Sequence, residues 1–432
     1  MGLLPGITVE LTVGPPAHGG SCVARHEGQV VFIRHALPGE RVRALVTEGN
    51  EGSRFVRADA VDVVQPSPDR VEPPCRLAGP GGCGGCDLQH LRVPAQRSWK
   101  AQVVAEQFRR LAGMDVDVQV EAIPGDQDGL AWRTRVELTV GSAGRPGLRQ
   151  YRSHEIVPVN HCPIATSRID ALIPGLPSAE PGTAYDLVDP AVGEPVTVSV
   201  PASGIKACEN VATVTERVHS RAFEVSARGF WQVHPGAATT FVDTVLSLAG
   251  PKPGECCLDL YAGVGLFAVG LAEAVGVEGQ VVLVESDDVA CANAQANLAG
   301  FANAVVAPAR VDDALGVARP ARRRSRSANA RPGRRGSQQV RLRSHPLMPL
   351  RADVVVLDPP RTGAGRDVLA AVVGLEPRVI TYVACDPAAL ARDTAYLAGL
   401  GWTVTGLRAF DAFPMTHHVE CIARFEPATS SG

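Results

Sequence analysis

The stretch YVACDPAAL, residues 382–390, constrains this chain most. Residues 378–383 form a short, apolar, β-branched run, the pattern of a strand buried in a parallel sheet. The run ends at Ala384, and Cys385, Asp386 and Pro387 turn the chain into the helical segment 388–393. Asp386 suits a helix N-cap, and Pro387 suits the first helical position, where no backbone N–H is needed. Cys385 is therefore expected at the carboxyl end of a strand, beside a helix N-terminus that favours its thiolate. Open α/β sheets keep their binding crevice there. Taken alone, the commoner reading of such a thiol is a small buried residue filling a gap. The rest of the chain changes that balance.

The same strand-then-turn pattern precedes it three times. Residues 257–260 predict a strand, 261–265 a turn with Gly263 and Gly265, and 266–275 an apolar helix. Two glycines are too few for the dinucleotide GxGxxG; a strand ending in an acidic residue before a short GxG turn is the form used by S-adenosylmethionine (SAM) enzymes. About twenty residues on, VVLVES places Glu285 at the end of another strand, where a carboxylate accepts both ribose hydroxyls. A nicotinamide enzyme would capture ribose alike. VVVLDPPR then ends a strand at Asp358, Pro359 and Pro360, a turn more typical of SAM enzymes.

At 432 residues the chain is too long for one core, so two or three domains are expected. It shows no apolar run of membrane-spanning length and no signal-peptide pattern, which points to the cytoplasm and away from a membrane. Eleven cysteines then suggest metal, cluster or catalytic use rather than disulfides. The net charge of −3 means that any nucleic-acid binding rests on local patches. Residues 7–64 read as short strands punctuated by glycines, suited to a small closed barrel of OB or SH3 type. Its Arg25, His26, Arg34, His35, Arg54 and Arg57 are candidate phosphate contacts. After the linker at Pro66, Cys75, Cys83 and Cys86 crowd a Gly-rich loop, with Cys162 in NHCPIA the best fourth ligand. Four thiolates suit zinc or an iron–sulfur cluster. His161 reads as a local hydrogen-bonding residue. Residues 95–112 predict a helix packing Trp99, Val103, Val104, Phe108 and Leu111 into a core. Arg133, Arg135, Arg149 and Arg152, among aromatics, are candidates to grip single-stranded nucleic acid. Residues 174–203 read only as Pro/Gly-rich connections.

These features in this order resemble the RNA 5-methyluridine methyltransferase family over nearly the whole chain. The residues that carry the resemblance are a barrel like a TRAM domain, CGGCDLQH, NHCPIA, GFWQVHP, DLYAGVGLF, LDPPR, YVACDPAALARD and MTHHVEC. Ala262 and Leu266 stand where members often carry Cys and Asn. The resemblance implies a uracil-C5 methyltransferase acting on structured RNA, transfer or ribosomal, in which Cys385 is the nucleophile and Glu420 the base. It further implies SAM contacts from Gln232, Tyr261, Glu285 and Asp358, with Asp312 a weaker candidate, and a [4Fe–4S] cluster. His417 and His418 read as structural.

The expected architecture is multidomain α/β: a TRAM-like barrel (1–66), a central β-rich domain with the Cys loop (67–225) and a Rossmann-like SAM domain (226–432). The helix at 95–112 could pack on the catalytic domain, and no obligate protein partner is implied, which suits a monomer. The Arg-rich segment 318–347 reads as a disordered insertion that adds charge-driven RNA affinity. Two rival functions fit parts of the pattern, an RNA base N-methyltransferase and a non-catalytic RNA-binding or cluster-carrying protein. Base N-methyltransferases usually follow the prolines with an aromatic, where this chain has Arg361, and they use no Cys nucleophile.

Overall fold

The computed structural model describes residues 2–204, 211–317 and 345–428. The insertion expected at 318–347 therefore lies almost entirely outside the described residues. Two compact units account for the chain. The first takes Met1–Phe241, Ala384–Arg392 and Leu407–Ile422; the second takes Val242–Val383, Asp393–Gly406 and Ala423–Gly432. No helix among the described residues is long and apolar enough to cross a membrane.

The first unit begins with a six-stranded barrel: β1 (Thr8–Thr12), β2 (Pro16–Ala17), β3 (Ser21–His26), β4 (Gln29–Arg34), β5 (Arg41–Glu48) and β6 (Phe55–Gln65), in the order β1-β5-β6-β4-β3-β2. Strict alternation along β5, with Val42, Ala44 and Val46 buried between exposed or half-buried neighbours, shows the period of a strand with one face inward. Register shifts between β5 and β6 bend the long β6 to follow the barrel. Arg70 closes the base of the barrel, its guanidinium on the fully buried Glu40 at 2.6 Å.

Helix α1 (Val93–Gln107) buries Trp99, Val103 and Val104, as its spacing predicts, but it continues as a π-helical turn at Phe108–Ala112. The wider turn shifts the helical phase, so Phe108 stays buried while Leu111, expected in the core, is 43% exposed. Lys100 on α1 is wholly buried. Its Nζ donates to Asp411 Oδ1 at 2.5 Å and to the Phe413 carbonyl at 3.0 Å.

After β7 (Val120–Ala122) comes an antiparallel sheet of β8 (Arg135–Val140), β9 (Pro146–Arg149), β10 (Ile156–Pro158), β11 (Ala184–Val188) and β12 (Val196–Val200), with helix α2 (Ser167–Leu172) in its connection. Its order is β10-β9-β8-β11-β12. β11 and β12 fall in the stretch expected to hold only connections. A hairpin of β13 (Thr213–Val218) and β14 (Arg221–Ser226) follows, then α3 (Ala237–Ala249).

The second unit is built on parallel strands: β15 (Cys256–Leu260), β16 (Gln280–Glu285), β17 (Ala304–Pro308), β18 (Val354–Leu357) and β19 (Val379–Ala384). They are ordered β17-β16-β15-β18-β19, and the helices between them are α4 (Leu266–Val275), α5 (Asp288–Asn297), α6 (Val311–Ala314) and α7 (Arg366–Val373). Every residue of β18 and β19 is buried, which explains why these runs are apolar throughout rather than alternating. Strand order reverses beside β15, at the switch point where a crevice opens past the carboxyl ends. Helix α8 (Pro387–Ala398) and strands β20 (Trp402–Asp411) and β21 (Glu420–Pro427) complete the chain.

Candidate functional site

In the second unit, the ends of β15 and β16 and the turn after β18 frame a pocket of about 750 Å³. Tyr261, Glu285 and Asp312 all line it, with Ser286, Arg310 and Thr362. The turn after β15 places Tyr261 at φ 62, a conformation uncommon for a residue with a side chain, and Gly263 and Gly265 at φ 54 and 86. A Cβ on Gly265 would lie 3.1 Å from Leu283, so the turn packs tightly on β16. Burial raises the Tyr261 phenol to about 12, and Asp312 and Asp393 add to the effect. It stays neutral at physiological pH. Glu285 Oε2 accepts the Gly263 N–H at 2.9 Å and Oε1 accepts the Asp287 N–H at 2.8 Å. These amides orient the carboxylate at the rim of the pocket.

Asp358 follows β18 directly, and the pocket wall on that side is made by Pro360, Thr362, Gly363 and Ala364. Burial pushes the Asp358 carboxyl up to about 7. Asp393 holds the turn from beneath, its Oδ2 accepting the Ala364 N–H at 2.7 Å and the Tyr382 hydroxyl at 2.7 Å. Asp259, on β15, is wholly buried, and its carboxyl is driven well above the ordinary range by burial, with Asp358 and Glu285 adding to the effect. It is thus held neutral at the base of the crevice.

The remaining predicted residues lie in the first unit. Cys385 is half-buried, one residue before Asp386 and two before the helix that starts at Pro387. Asp386 caps that helix as expected, its Oδ1 accepting the Ala389 N–H at 2.7 Å. The other carboxylate oxygen lies 3.0 Å from His18 Nε2 in the barrel. Burial raises the Asp386 pKa, but the His18 contact and the helix amides outweigh it and hold the carboxyl below its usual value. Glu420 is 5% exposed. Burial pushes the neighbouring Cys421 thiol up, and the charges of Glu420, Asp386 and Cys385 add to the effect. Gln232 is buried next to Trp231, which packs on Phe223 at 5.5 Å, while Phe230 is 73% exposed.

Cys75, Cys83, Cys86 and Cys162 line one pocket of about 320 Å³, walled by Leu77, Leu148, Val159 and Ile164. Burial raises the Cys83, Cys86 and Cys162 thiols, and each is raised further by another cysteine of the set. Cys83 Sγ accepts the Gly85 N–H at 3.3 Å. Among the described residues no three His, Cys, Asp or Glu side chains converge as ligands of a single metal ion. His161 is a hydrogen-bonding residue, its Nδ1 2.6 Å from Asp170.

The loop after the cysteines is tied to the segment leading to Glu420. Asp87 and Leu88 donate their N–H groups to the Met415 carbonyl at 3.0 Å, and His417 Nδ1 lies 2.5 Å from Asp87 Oδ2. His417 is structural, as expected. Sequence reasoning missed Lys100, Asp87 and His18, whose partners lie hundreds of residues away. It also misjudged several arginines. Arg135 is spent inside the fold, on Glu216 at 2.9 Å and the Ala227 and Gly229 carbonyls, so it grips no external phosphate. In the barrel, Arg34 and His35 are buried, 6% and 7% exposed.

The family described as tRNA (Uracil-5-)-methyltransferase matches residues 210–426, and the TRAM domain matches residues 3–61. A protein of Streptomyces avermitilis described as an uncharacterized RNA methyltransferase is 43% identical, over 97% of this chain and 98% of its own. One of Bifidobacterium longum with the same description is 35% identical, over 96% of each chain. The crystal structure of Pyrococcus abyssi tRNA (uracil-54, C5)-methyltransferase in complex with S-adenosyl-L-homocysteine superposes with a TM-score of 0.63 at 21% identity, over 96% of this chain and 100% of that one. It shares the fold. With a TRAM domain at its start and the family's match across its second half, the chain belongs to the tRNA (uracil-5-)-methyltransferase family and is an RNA methyltransferase.

Proposed function

We propose that the enzyme methylates C5 of a uridine in structured RNA, transfer or ribosomal, with SAM as methyl donor. The observation that supports this reading is Cys385 at the turn between β19 and α8, with the buried Glu420 in the same compact unit. C5 of uracil is too weak a nucleophile to take the methyl group unaided. The Cys385 thiolate adds to C6, and the electrons released along the ring make C5 nucleophilic. C5 then displaces the sulfonium methyl, leaving S-adenosylhomocysteine. Glu420 takes the C5 proton, the C5–C6 double bond re-forms, and the thiolate leaves. The pocket at Tyr261 and Glu285 suits the donor: its size fits a nucleoside, and the Glu285 carboxylate is placed to accept ribose hydroxyls. Asp358 and Gln232 are the further donor contacts in this reading. The exposed Phe230 offers a ring face for stacking on the RNA.

The four-cysteine pocket fits an iron–sulfur cluster of the [4Fe–4S] type. The four thiols line one pocket, its walls are apolar, and a backbone amide donates to Cys83. Cys75, Cys83, Cys86 and Cys162 would hold it as thiolates, and the bound cluster would tie the loop at 75–86 to the segment at 162. Protein purified without oxygen should carry iron and sulfide; stoichiometric zinc without visible absorption would overturn the assignment.

The decisive test of the reaction uses two variants and an RNA mapped by comparing 5-methyluridine in cells with and without the protein. Cys385→Ala should lower methyl transfer by about 10⁴-fold or more while SAM still binds. Glu420→Gln should instead accumulate a methylated protein–RNA adduct stable to denaturant. An active Cys385→Ala protein would sink the mechanism, and methylation at a ring or exocyclic nitrogen without an adduct would favour a base N-methyltransferase.

A further inference from the structure

A second pocket of the first unit, also about 750 Å³, lies where the barrel face meets the glycine loop at 79–82 and the turn at 150–152. None of the residues assigned to catalysis, methyl donor or cluster lines it. Its walls combine aromatic rings with cations. The Arg34 guanidinium stands 3.5 Å over the Tyr151 ring. Arg57 lies 5.3 Å from the Phe55 ring and 5.9 Å from Phe32, and those two rings meet edge to face at 5.5 Å.

The charges there are unevenly placed: deeper in, Arg34 alone is met by two carboxylates, Asp87 at 3.3 Å and Asp59 at 4.0 Å. Glu48 serves two guanidinium groups at once, Arg152 at 3.2 Å and Arg57 at 3.9 Å, which leaves positive charge at the mouth. Arg152 holds this place in a left-handed backbone conformation, φ 51, that costs energy in a residue with a side chain. Deeper in, Arg34 is 6% exposed, yet its Nε has no hydrogen-bond partner. A buried donor left open is costly and rare, and it marks a place where an acceptor is expected to arrive. Asp59, 4.0 Å from Arg34, adds a carboxylate that can accept from the edge of a base.

Resting on the RNA methyltransferase reading above, we propose that this pocket takes a second, unpaired nucleotide of the RNA, separate from the uridine that is methylated. The base stacks on the rings of the barrel face and meets Arg34 and Asp59 with its edge, while its phosphate lies against Arg57 and Arg152. Sequence-tolerant stacking with a cationic rim is how single-stranded RNA is held where no duplex groove exists to be read. An enzyme that must find one uridine in a folded RNA thereby gains a second fixed point, which sets the register of the strand in the active site.

The test uses Tyr151→Ala and, because that change also unseats Arg34, Arg57→Gln at the rim. Anisotropy with a fluorescein-labelled single-stranded RNA ten-mer, a readout that needs no methyl transfer, should show roughly 5- to 100-fold weaker binding for both variants, the range expected for one stacked base and its phosphate. With the mapped substrate RNA, KM should rise by a similar factor while kcat stays unchanged. A series of RNAs carrying a single abasic site should contain one position, other than the target uridine, that reproduces this loss and adds nothing to it in the Arg57→Gln protein. Unchanged anisotropy and KM in folded Arg57→Gln protein would overturn the pocket, as would abasic losses that add to the variant's at every position. Wild-type protein that binds the ten-mer through these residues but methylates no uridine would sink the proposed reaction and leave the pocket standing.

Discussion

The pocket at Cys75, Cys83, Cys86 and Cys162 is walled by Leu77, Leu148, Val159 and Ile164, whereas the pocket at Tyr261 and Glu285 opens among Ser286, Arg310, Asp312 and Thr362. Both gather acidic groups, and they treat them oppositely. In the apolar pocket burial raises three of the thiols, and the hydrogen bonds and the Arg133 charge that pull downward do not offset it. Only a strongly cationic occupant makes four thiolates favourable there. In the polar pocket the Gly263, Ser286 and Asp287 amides already point at the Glu285 carboxylate, so its orientation precedes any ligand. The second is arranged before any ligand binds; the first, in the proposed reading, would be completed by its cluster.

The sharpest break of this contrast is Cys162→Ser. If occupancy completes the apolar pocket, this change should remove nearly all bound iron and lower Tm by several degrees, read by iron analysis and calorimetry. Full iron content would show that Cys162 is not a ligand. Next in size is Lys100→Met, which leaves Asp411 buried and unpaired in the same unit. Denaturant titration should show a loss of about 3–5 kcal/mol, and a neutral result would mean that the interior there is wetter than its burial indicates.

Glu285→Gln should act more gently, because the side chain stays in place and only the charge goes. Calorimetric titration should find SAM bound about 10- to 100-fold more weakly with Tm nearly unchanged, matching the loss of hydrogen bonds to a charged group. A collapse of the fold would make Glu285 structural. A pH effect concerns Asp358, whose folded pKa of about 7 exceeds the ordinary 3.8. The folded protein therefore keeps a proton that the unfolded chain releases. This stabilisation is complete below about pH 4 and is lost as pH rises through about 7. Stability measured without SAM at pH 5 to 8 should fall along this limb, and Asp358→Asn should flatten it. An identical slope in the variant would assign the limb to another group.

How far the sequence discloses each site follows from where the partners lie. The central parallel strands are legible because every residue of β18 and β19 is buried, and the turn at Cys385 is legible because Asp386 and Pro387 act on the next three residues. The four cysteines line one pocket, but among the described residues no three of them converge on one metal position. β11 and β12 escaped notice because Thr197 and Ser199 interrupt the apolar run and Pro and Gly surround it. Leu111 was misplaced because a π turn leaves no mark in a pattern read at 3.6 residues per turn. Lys100 carried no signal at all: a lysine on an amphipathic helix reads as solvent-facing until its counter-ion is known, and that counter-ion is 311 residues away. The arginines of the barrel and central sheet have the same difficulty, since composition does not tell a phosphate contact from Arg135 on Glu216.

That buried lysine has a further consequence for how the protein comes into being. The first unit is assembled from three stretches of chain, the last ending at Ile422, and Asp411 lies in that last stretch. At roughly 5–20 residues per second, a ribosome releases Lys100 about 15–60 s before its counter-ion. Throughout that interval the nascent helix carries a cation it cannot bury, so the unit stays open around it. Cys385 and Glu420 arrive in the same late stretches. A chain broken off early is thus a failed fold before it is a failed enzyme, and quality control meets it as exposed core instead of as a half-active protein loose on RNA.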